Sequence, residues 1–143
     1  MILGKTLQTA LILTLLLVGC GGRGGVERGA VSGEVTLDGE PVPEGAITFF
    51  AAGENEGPAS GGPILDGRFD IARSQGPVVG TNRVEITAPR KTGKKVRSPD
   101  PIAAGGMMDE WKESVPTRYN TRSTLEEQIQ AGKNKIDFAL QSQ

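Results

Sequence analysis

Few residues in this chain could do chemistry. Its 143 residues include one Cys, no His, and 17 acidic residues against 16 Lys and Arg. Without His and with a single thiol, it cannot build a Ser-His-Asp or Cys-His nucleophile or a metal site of His and Cys ligands. Two carboxyl groups can cleave a glycoside when one stays protonated, and Asp109, Glu110 and Glu113 are candidates for such a pair. Because the acids are scattered among cations, as on a solvated surface, we predict no enzyme activity, catalytic residue, cofactor or metal.

The N-terminus has the features of an export signal. Lys5 is its only charged residue, and residues 10–18 form an almost unbroken apolar run. A membrane-spanning helix needs ~20 apolar residues, so this run fits the apolar region of a signal peptide better. The string Leu17-Val18-Gly19-Cys20 resembles the bacterial lipobox at all four positions. We predict that residues 1–19 are a lipoprotein signal peptide that is removed.

The lipobox resemblance implies that Cys20 carries a thioether-linked lipid. A lone thiol can instead be a buried free cysteine or one half of an intermolecular disulfide. Both are disfavoured, because the Gly-rich sequence after Cys20 offers no side chains to pack against it. At ~0.8 kcal/mol per buried methylene, several palmitate-type acyl chains hold a protein stably on a membrane. We predict that residues 20–29 comprise the lipidated cysteine and a flexible tether.

The export signal also narrows the location and the partners. The residue after Cys20 is Gly21 and not Asp. Under the sorting rule of enteric bacteria, the lack of Asp there indicates the outer membrane or cell envelope. The formal net charge is −1, which gives no global field for nucleic acid. We therefore expect the membrane as a partner through the lipid, and no nucleic acid.

Period-two patterns separated by turns predict an all-β domain. Apolar and polar residues alternate over 31–37, 46–52 and 81–88. Asp66-Gly67 lies between two more apolar runs and predicts a two-residue hairpin that pairs Leu65 with Arg68 and buries Ile64, Phe69 and Ile71. Such turns recur about every ten residues, which is typical of a sandwich of short antiparallel strands. The prediction is an antiparallel β-sandwich over residues 30–140.

Between residues 89 and 118 the alternation disappears, and we predict a long loop with a short helical turn around Met107, Met108 and Trp111. Within the loop, cations are dense, and Trp111 and Tyr119 are the chain's only Trp and Tyr. The cations are either solvated or in contact with anionic envelope polymers or lipid head groups. The two aromatics either pin the loop to the sandwich or form a binding platform. The candidate interaction residues are Arg90, Lys91, Lys94, Lys95, Arg97, Trp111 and Tyr119.

The C-terminal segment has two interpretations. Residues 123–126 resemble a helix capping box, whereas Ile136, Phe138 and Leu140 alternate as in a strand. Because a short isolated helix is marginal, we predict a strand over 124–130 that forms a hairpin with the last strand. Two oxygen-rich stretches, 54–56 and 66–70, lack the spacing of a dedicated calcium loop.

The order of these motifs resembles a known domain. Residues 31–42, 45–49 and 65–71 look like the carboxypeptidase regulatory-like domain. Together with the lipobox, the segments 76–86, 90–94 and 115–120 make the whole chain similar to short lipoproteins of planctomycete-type bacteria. The resemblance implies a transthyretin-like or prealbumin-like, Ig-like sandwich. The histidines and the C-terminal motif of the transthyretin-like hydrolase are absent, so that activity is not implied.

We expect a non-enzymatic, lipid-anchored envelope protein that acts as a structural or interaction module. The alternative is a module that binds a small ligand or a polysaccharide through the 89–118 loop. For the interaction module the expected partners are envelope proteins, and for the binding module the expected partner is a small ligand or a polysaccharide. The sequence does not identify the individual partner.

Overall fold

A computed structural model describes residues 25–100 and 105–143, so Cys20 and residues 1–19, which were predicted to be a signal peptide, lie outside the described residues. The described residues form an all-β, sandwich-like fold of curled sheets. Two short 3-10 turns, Arg73–Gln75 and Thr117–Tyr119, are the only helical elements among them. The strands are β1 (Gly29–Leu37), β2 (Glu40–Pro41), β3 (Glu44–Ala51), β4 (Ser60–Leu65), β5 (Arg68–Ile71), β6 (Gly80–Thr87), β7 (Pro89–Arg97), β8 (Met107–Glu113), β9 (Glu126–Ile129), β10 (Gly132–Lys135) and β11 (Phe138–Leu140).

Nine strands belong to one sheet and two form a separate hairpin. The main sheet has the order β10-β1-β5-β4-β3-β6-β9, and β2 and β11 also pair with β1. Most neighbours are antiparallel, but β10 and β11 both run parallel to β1. The separate hairpin consists of β7 and β8. Within the described part of the chain, no helix is long and apolar enough to cross a membrane.

The strands predicted from alternation are confirmed. β1 covers the first predicted segment, and β3 and β6 cover the other two except for the last residue of each; the Asp66-Gly67 turn joins β4 to β5 with Leu65 opposite Arg68. Asp66 and Gly67 have φ values of 50° and 75°, as a type I′ turn requires. The inward residues of these strands form the core, which includes Val31, Val35, Ile47, Phe49, Ile64, Phe69, Ile71, Val84 and Ile86.

The predicted C-terminal hairpin is wrong, although the strand in its first half is confirmed. β9 pairs with β6, and β11 pairs with β1 at the other side of the sheet. Only Gln130 and Ala131 separate β9 from β10, so the two ends of the strand order must lie close together. The sheet therefore curls, and the chain crosses from one edge to the other where a turn was expected.

Asn134 closes the seam between these two edges. Its Nδ2 donates to the carbonyl oxygens of Ala30 and Gln130, each at 3.0 Å, and its Oδ1 accepts from the Gln130 amide at 2.9 Å. Ala30 lies on β1 and Gln130 directly follows β9. One half-buried side chain of the edge strand β10 thus bonds a backbone group of the neighbouring strand β1 and those of the residue that follows the opposite edge strand β9.

We expect Asn134→Ala to lower the free energy of unfolding by about 1–2 kcal/mol, because backbone groups of the seam lose their partners. Denaturant unfolding of the full chain measures this change. Gln128→Ala is the matched control, since Gln128 makes a single exposed side-chain bond to Thr81. Equal effects of the two substitutions would contradict a role for Asn134 in closing the seam.

The prediction of a long irregular loop over 89–118 is also wrong. Most of this segment is the β7–β8 hairpin, and Met107, Met108 and Trp111 lie on strand β8 and not on a helical turn. The nearest helical turn is the 3-10 turn at Thr117–Tyr119. All nine residues of β7 are exposed, so neither of its faces needs the apolar alternation by which buried strands are recognised.

The hairpin and the N-terminal segment leave the main sheet at opposite poles. Four antiparallel pairings connect β1 to β6 through β5, β4 and β3, so β1 and β6 run in the same direction. The chain enters β1 beside the start of β6, where Gly29 donates to the Pro77 carbonyl oxygen at 3.0 Å. β6 ends at the other pole, and β7 begins two residues later at Pro89.

Candidate interaction surface

The β7–β8 hairpin concentrates exposed apolar side chains. Six large hydrophobic residues are exposed in the described part of the chain, and four of them lie on this hairpin. Met107 is 61% exposed and Trp111 is 51% exposed. The four residues are Val96, Met107, Met108 and Trp111. These four side chains are not part of the hydrophobic core, so packing of the sandwich does not explain why they are apolar. The hairpin is therefore the candidate binding surface.

The strand register sorts the side chains of the hairpin onto two faces. Lys91 pairs with Trp111, Lys95 with Asp109 and Arg97 with Met107, so these residues share one face. Val96 pairs with Met108 on the opposite face. A bulge between Lys91 and Lys95 interrupts β7, and Gly93 at its centre has a φ of 80°. The bulge allows Lys91 and Lys95 both to contact Asp109.

Asp109 is the centre of an ion cluster on the first face. Its two carboxylate oxygens lie 2.7 Å from Lys91 Nζ and 2.6 Å from Lys95 Nζ. Lys91 Nζ also lies 5.3 Å from the centre of the Trp111 ring, within range of a cation–π contact. Hydrogen bonds from Lys91 and then from Lys95 lower the pKa of Asp109 from 3.8 to about 2. Such a carboxylate stays ionised, which is the opposite of the protonated acid that glycoside cleavage needs.

We expect the ion cluster to remain intact until the pH falls to about 2. The pKa of Asp109 is lower in the folded chain, so the cluster contributes fully above pH 3.8 and is lost as the pH falls through about 2. An NMR titration of the Asp109 carboxyl carbon measures the midpoint directly. In a Lys91→Gln, Lys95→Gln chain the midpoint should return toward 3.8. A native midpoint near 3.8 would contradict the cluster.

The other two candidate acids have structural partners. Glu110 accepts a hydrogen bond from the Thr92 hydroxyl at 2.6 Å, across the hairpin. Glu113 Oε1 accepts from the Ala88 amide at 2.8 Å and from the Val115 amide at 2.9 Å. Glu113 therefore fixes the base of the hairpin to the sandwich. The three acids lie on one strand, but each is occupied with a different contact.

Trp111 and Tyr119 have different surroundings. Trp111 lines a small groove of about 250 Å³, together with Pro89 and residues 44–46 at the start of β3. Tyr119 packs against the core, its hydroxyl accepts from the Gln141 amide at 3.3 Å, and the Arg118 guanidinium lies 4.8 Å from its ring centre. Tyr119 thus pins its segment to the sandwich, whereas Trp111 remains available to a partner.

The remaining candidates are distributed between the hairpin and the loops. Arg90, Lys94 and Arg97 are exposed along β7. Asn55, in one oxygen-rich stretch, donates its Nδ2 to the Thr81 carbonyl oxygen at 2.9 Å, and residues 66–70 form the β4–β5 turn and strand β5. No group of three or more potential metal ligands occurs among residues 25–100 and 105–143.

The sequence did not indicate the apolar part of this surface. Val96, Met107 and Met108 belong to no alternating pattern, and a helical turn was predicted around the two methionines. The pairing of Val96 with Met108 depends on the register that the bulge at Gly93 sets. That bulge is the feature that sequence reasoning lacked.

Comparison with known proteins identified no relative: no family model, no curated protein and no solved structure matches this chain. Its function is therefore inferred from the hairpin and from the sequence motifs.

Proposed function

We propose that the protein is a non-enzymatic, lipid-anchored envelope protein and that the β7–β8 hairpin is its interaction element. One observation carries the interaction role: four of the six exposed large apolar side chains of the described residues lie on a hairpin that is not part of the main sheet. The same hairpin has five cations on β7. Apolar anchors next to charged groups are typical of protein binding surfaces.

The anchoring part of the proposal is supported by the sequence. The apolar segment 10–18 and the lipobox-like string ending at Cys20 fit a lipoprotein signal, and the Gly-rich residues 21–25 fit a tether. The tether is shorter than the predicted 20–29, because residues 27–29 are hydrogen-bonded or bridged to residues 77–79 and Gly29 begins β1. The lack of Asp at position 21 favours the outer membrane. In this arrangement the hairpin meets other envelope components.

In-cell crosslinking of the native protein, followed by mass spectrometry, tests the interaction role. We expect a specific envelope partner that is lost when Arg90, Lys94 and Arg97 are changed to Gln, because these exposed cations lie along β7 and do not hold Asp109 in an ion pair. The matched control changes three exposed cations of the sandwich, Arg122, Lys133 and Lys135, and should keep the crosslinks. Identical crosslinks in both variants, or none in the native protein, would contradict the proposal.

A second candidate function is polysaccharide binding at the Trp111 groove. It is favoured by one observation, the half-exposed indole beside Pro89 and residues 44–46. A titration with a glycan panel should then give a saturable change in the fluorescence of Trp111, the chain's only Trp. Flat titrations would count against glycan binding and favour the protein-binding role.

A further inference from the structure

The two outer edges of the hairpin differ in how well they could accept another strand. β7 is interrupted by the bulge at Gly93, begins with Pro89 and has five cations, and each of these features discourages edge pairing. β8 has seven residues, no Gly or Pro, and no partner on its outer side in the described sheets. The backbone groups along that side of β8 are therefore free to pair with an added strand.

The sequence of β8 is self-complementary about Asp109. When two copies of β8 run antiparallel with Asp109 opposite Asp109, Met107 of each copy faces Trp111 of the other. A methionine sulfur and an aromatic ring make a favourable contact when they lie directly opposite each other on neighbouring strands. A register centred on Glu110 instead places Asp109 opposite Trp111, and one centred on Trp111 places Asp109 opposite Glu113. Those registers put a charge against an indole or against a like charge.

The ion cluster removes the main objection to this register. Two aspartates that face each other would repel, but each Asp109 is held by Lys91 and Lys95 of its own hairpin. Two copies therefore bring four ammonium groups to two carboxylates. The clustered charges lie between the two Met107–Trp111 pairs, on the same face of the joined sheet.

We propose that the free edge of β8 pairs with β8 of a second copy of this chain, antiparallel and centred on Asp109, to form a four-stranded sheet. This inference rests on the proposed function, because it names the partner of the same hairpin. A second copy provides apolar contacts for Met107 and Trp111, ammonium groups near Asp109, and hydrogen-bond partners for the free backbone of β8. Tethering on one surface would raise the local concentration of copies.

Variants of the full chain with one added cysteine, studied in membranes, test the register. Asp109-centred pairing places Met108 opposite Glu110 of the second copy, so Met108→Cys and Glu110→Cys chains should form a disulfide-linked dimer when they are expressed together. Each variant alone should not, because like positions are then out of register. Both variants keep Met107, Asp109 and Trp111, and the native chain controls for any reaction of Cys20.

Failure of the self-pairing can be separated from failure of the proposed function. No disulfide dimer in the mixed sample, or an equal one with Glu110→Cys alone, would overturn the Asp109-centred pairing. If a lysine-reactive crosslinker then still joins the hairpin to another envelope protein, the interaction role stands with a different partner. If it joins the hairpin to nothing, both proposals are overturned.

The affinity of the full chain in detergent gives an independent measurement. Analytical ultracentrifugation should show dimers that Trp111→Lys weakens by roughly tenfold or more, because the dimer loses both of its Met107–Trp111 cross-strand pairs. Leu65→Lys is the matched control, since Leu65 is 58% exposed but lies on β4. Monomeric native protein, or equal weakening by the two substitutions, would overturn the proposal.

Discussion

Replacing Cys20 with Ser is expected to abolish acylation of this chain completely. The thioether bond needs a thiol, and Cys20 is the only cysteine in the sequence. Metabolic labelling with a fatty acid, followed by intact-mass measurement, should find acyl chains on the native protein and none on Cys20→Ser. The effect is all or none, because no second residue can take over the attachment.

Gly21→Ser is the control for this substitution, since it introduces the same side chain one residue away and leaves the thiol in place. It should be acylated like the native chain. Label that remains on Cys20→Ser, or an unmodified Cys20 thiol in membrane-associated native protein, would rule out the lipid anchor. Either result would also remove the reason to locate the hairpin at an envelope membrane.

Gly33→Ala is expected to destabilise the fold strongly, although it adds only one methyl group. A Cβ atom at Gly33 would lie 1.7 Å from the carbonyl oxygen of Ile136, in the short segment that links β10 to β11 alongside β1. One backbone and one side-chain hydrogen bond hold this segment against β1: the Ile136 amide donates to Ser32 O at 2.9 Å, and the Glu34 amide donates to the carboxylate oxygen Asp137 Oδ1 at 2.9 Å. The β10–β11 link must move away from β1, so we expect a loss of about 2–3 kcal/mol in the free energy of unfolding.

Gly62→Ala is the matched control for Gly33→Ala. Gly62 is also a glycine within a strand, but an added Cβ there meets the flexible side chain of Ile71 at 3.2 Å. We expect a change below about 1 kcal/mol, because a side chain yields more easily than a paired backbone. Denaturant unfolding of both variants makes the comparison. Similar stabilities would show that the link between β10 and β11 is not held tightly against β1.

The sequence predicted the strands whose two faces differ in environment. β1, β3 and β6 each have one buried and one more exposed face, so the period of two is visible in their residues. The Asp66-Gly67 turn was predictable because few residue pairs adopt positive φ at two successive positions. These features are local, and they made the sandwich-like fold predictable.

What escaped prediction depends on contacts between distant segments. That β9 pairs with β6, and β11 with β1, follows from the curl of the whole sheet and not from residues 124–140 themselves. The β7–β8 hairpin carries no burial pattern, because its residues are exposed or half-buried on both faces. The cations of β7 were visible in the sequence as a dense run. Their arrangement around Asp109 required the register of the hairpin.

The opposite positions of the N-terminal entry and the hairpin determine how the domain would respond to force. A pulling force between an anchored N-terminus and a partner on the hairpin would act on the domain at the start of β1 and at the end of β6. Because these strands run in the same direction, the force acts along the strands and shears the ladders between them. Many hydrogen bonds must then break together and cannot open one after another. If the N-terminus is anchored and the hairpin bound as proposed, this strand geometry places the domain to withstand tension between the two.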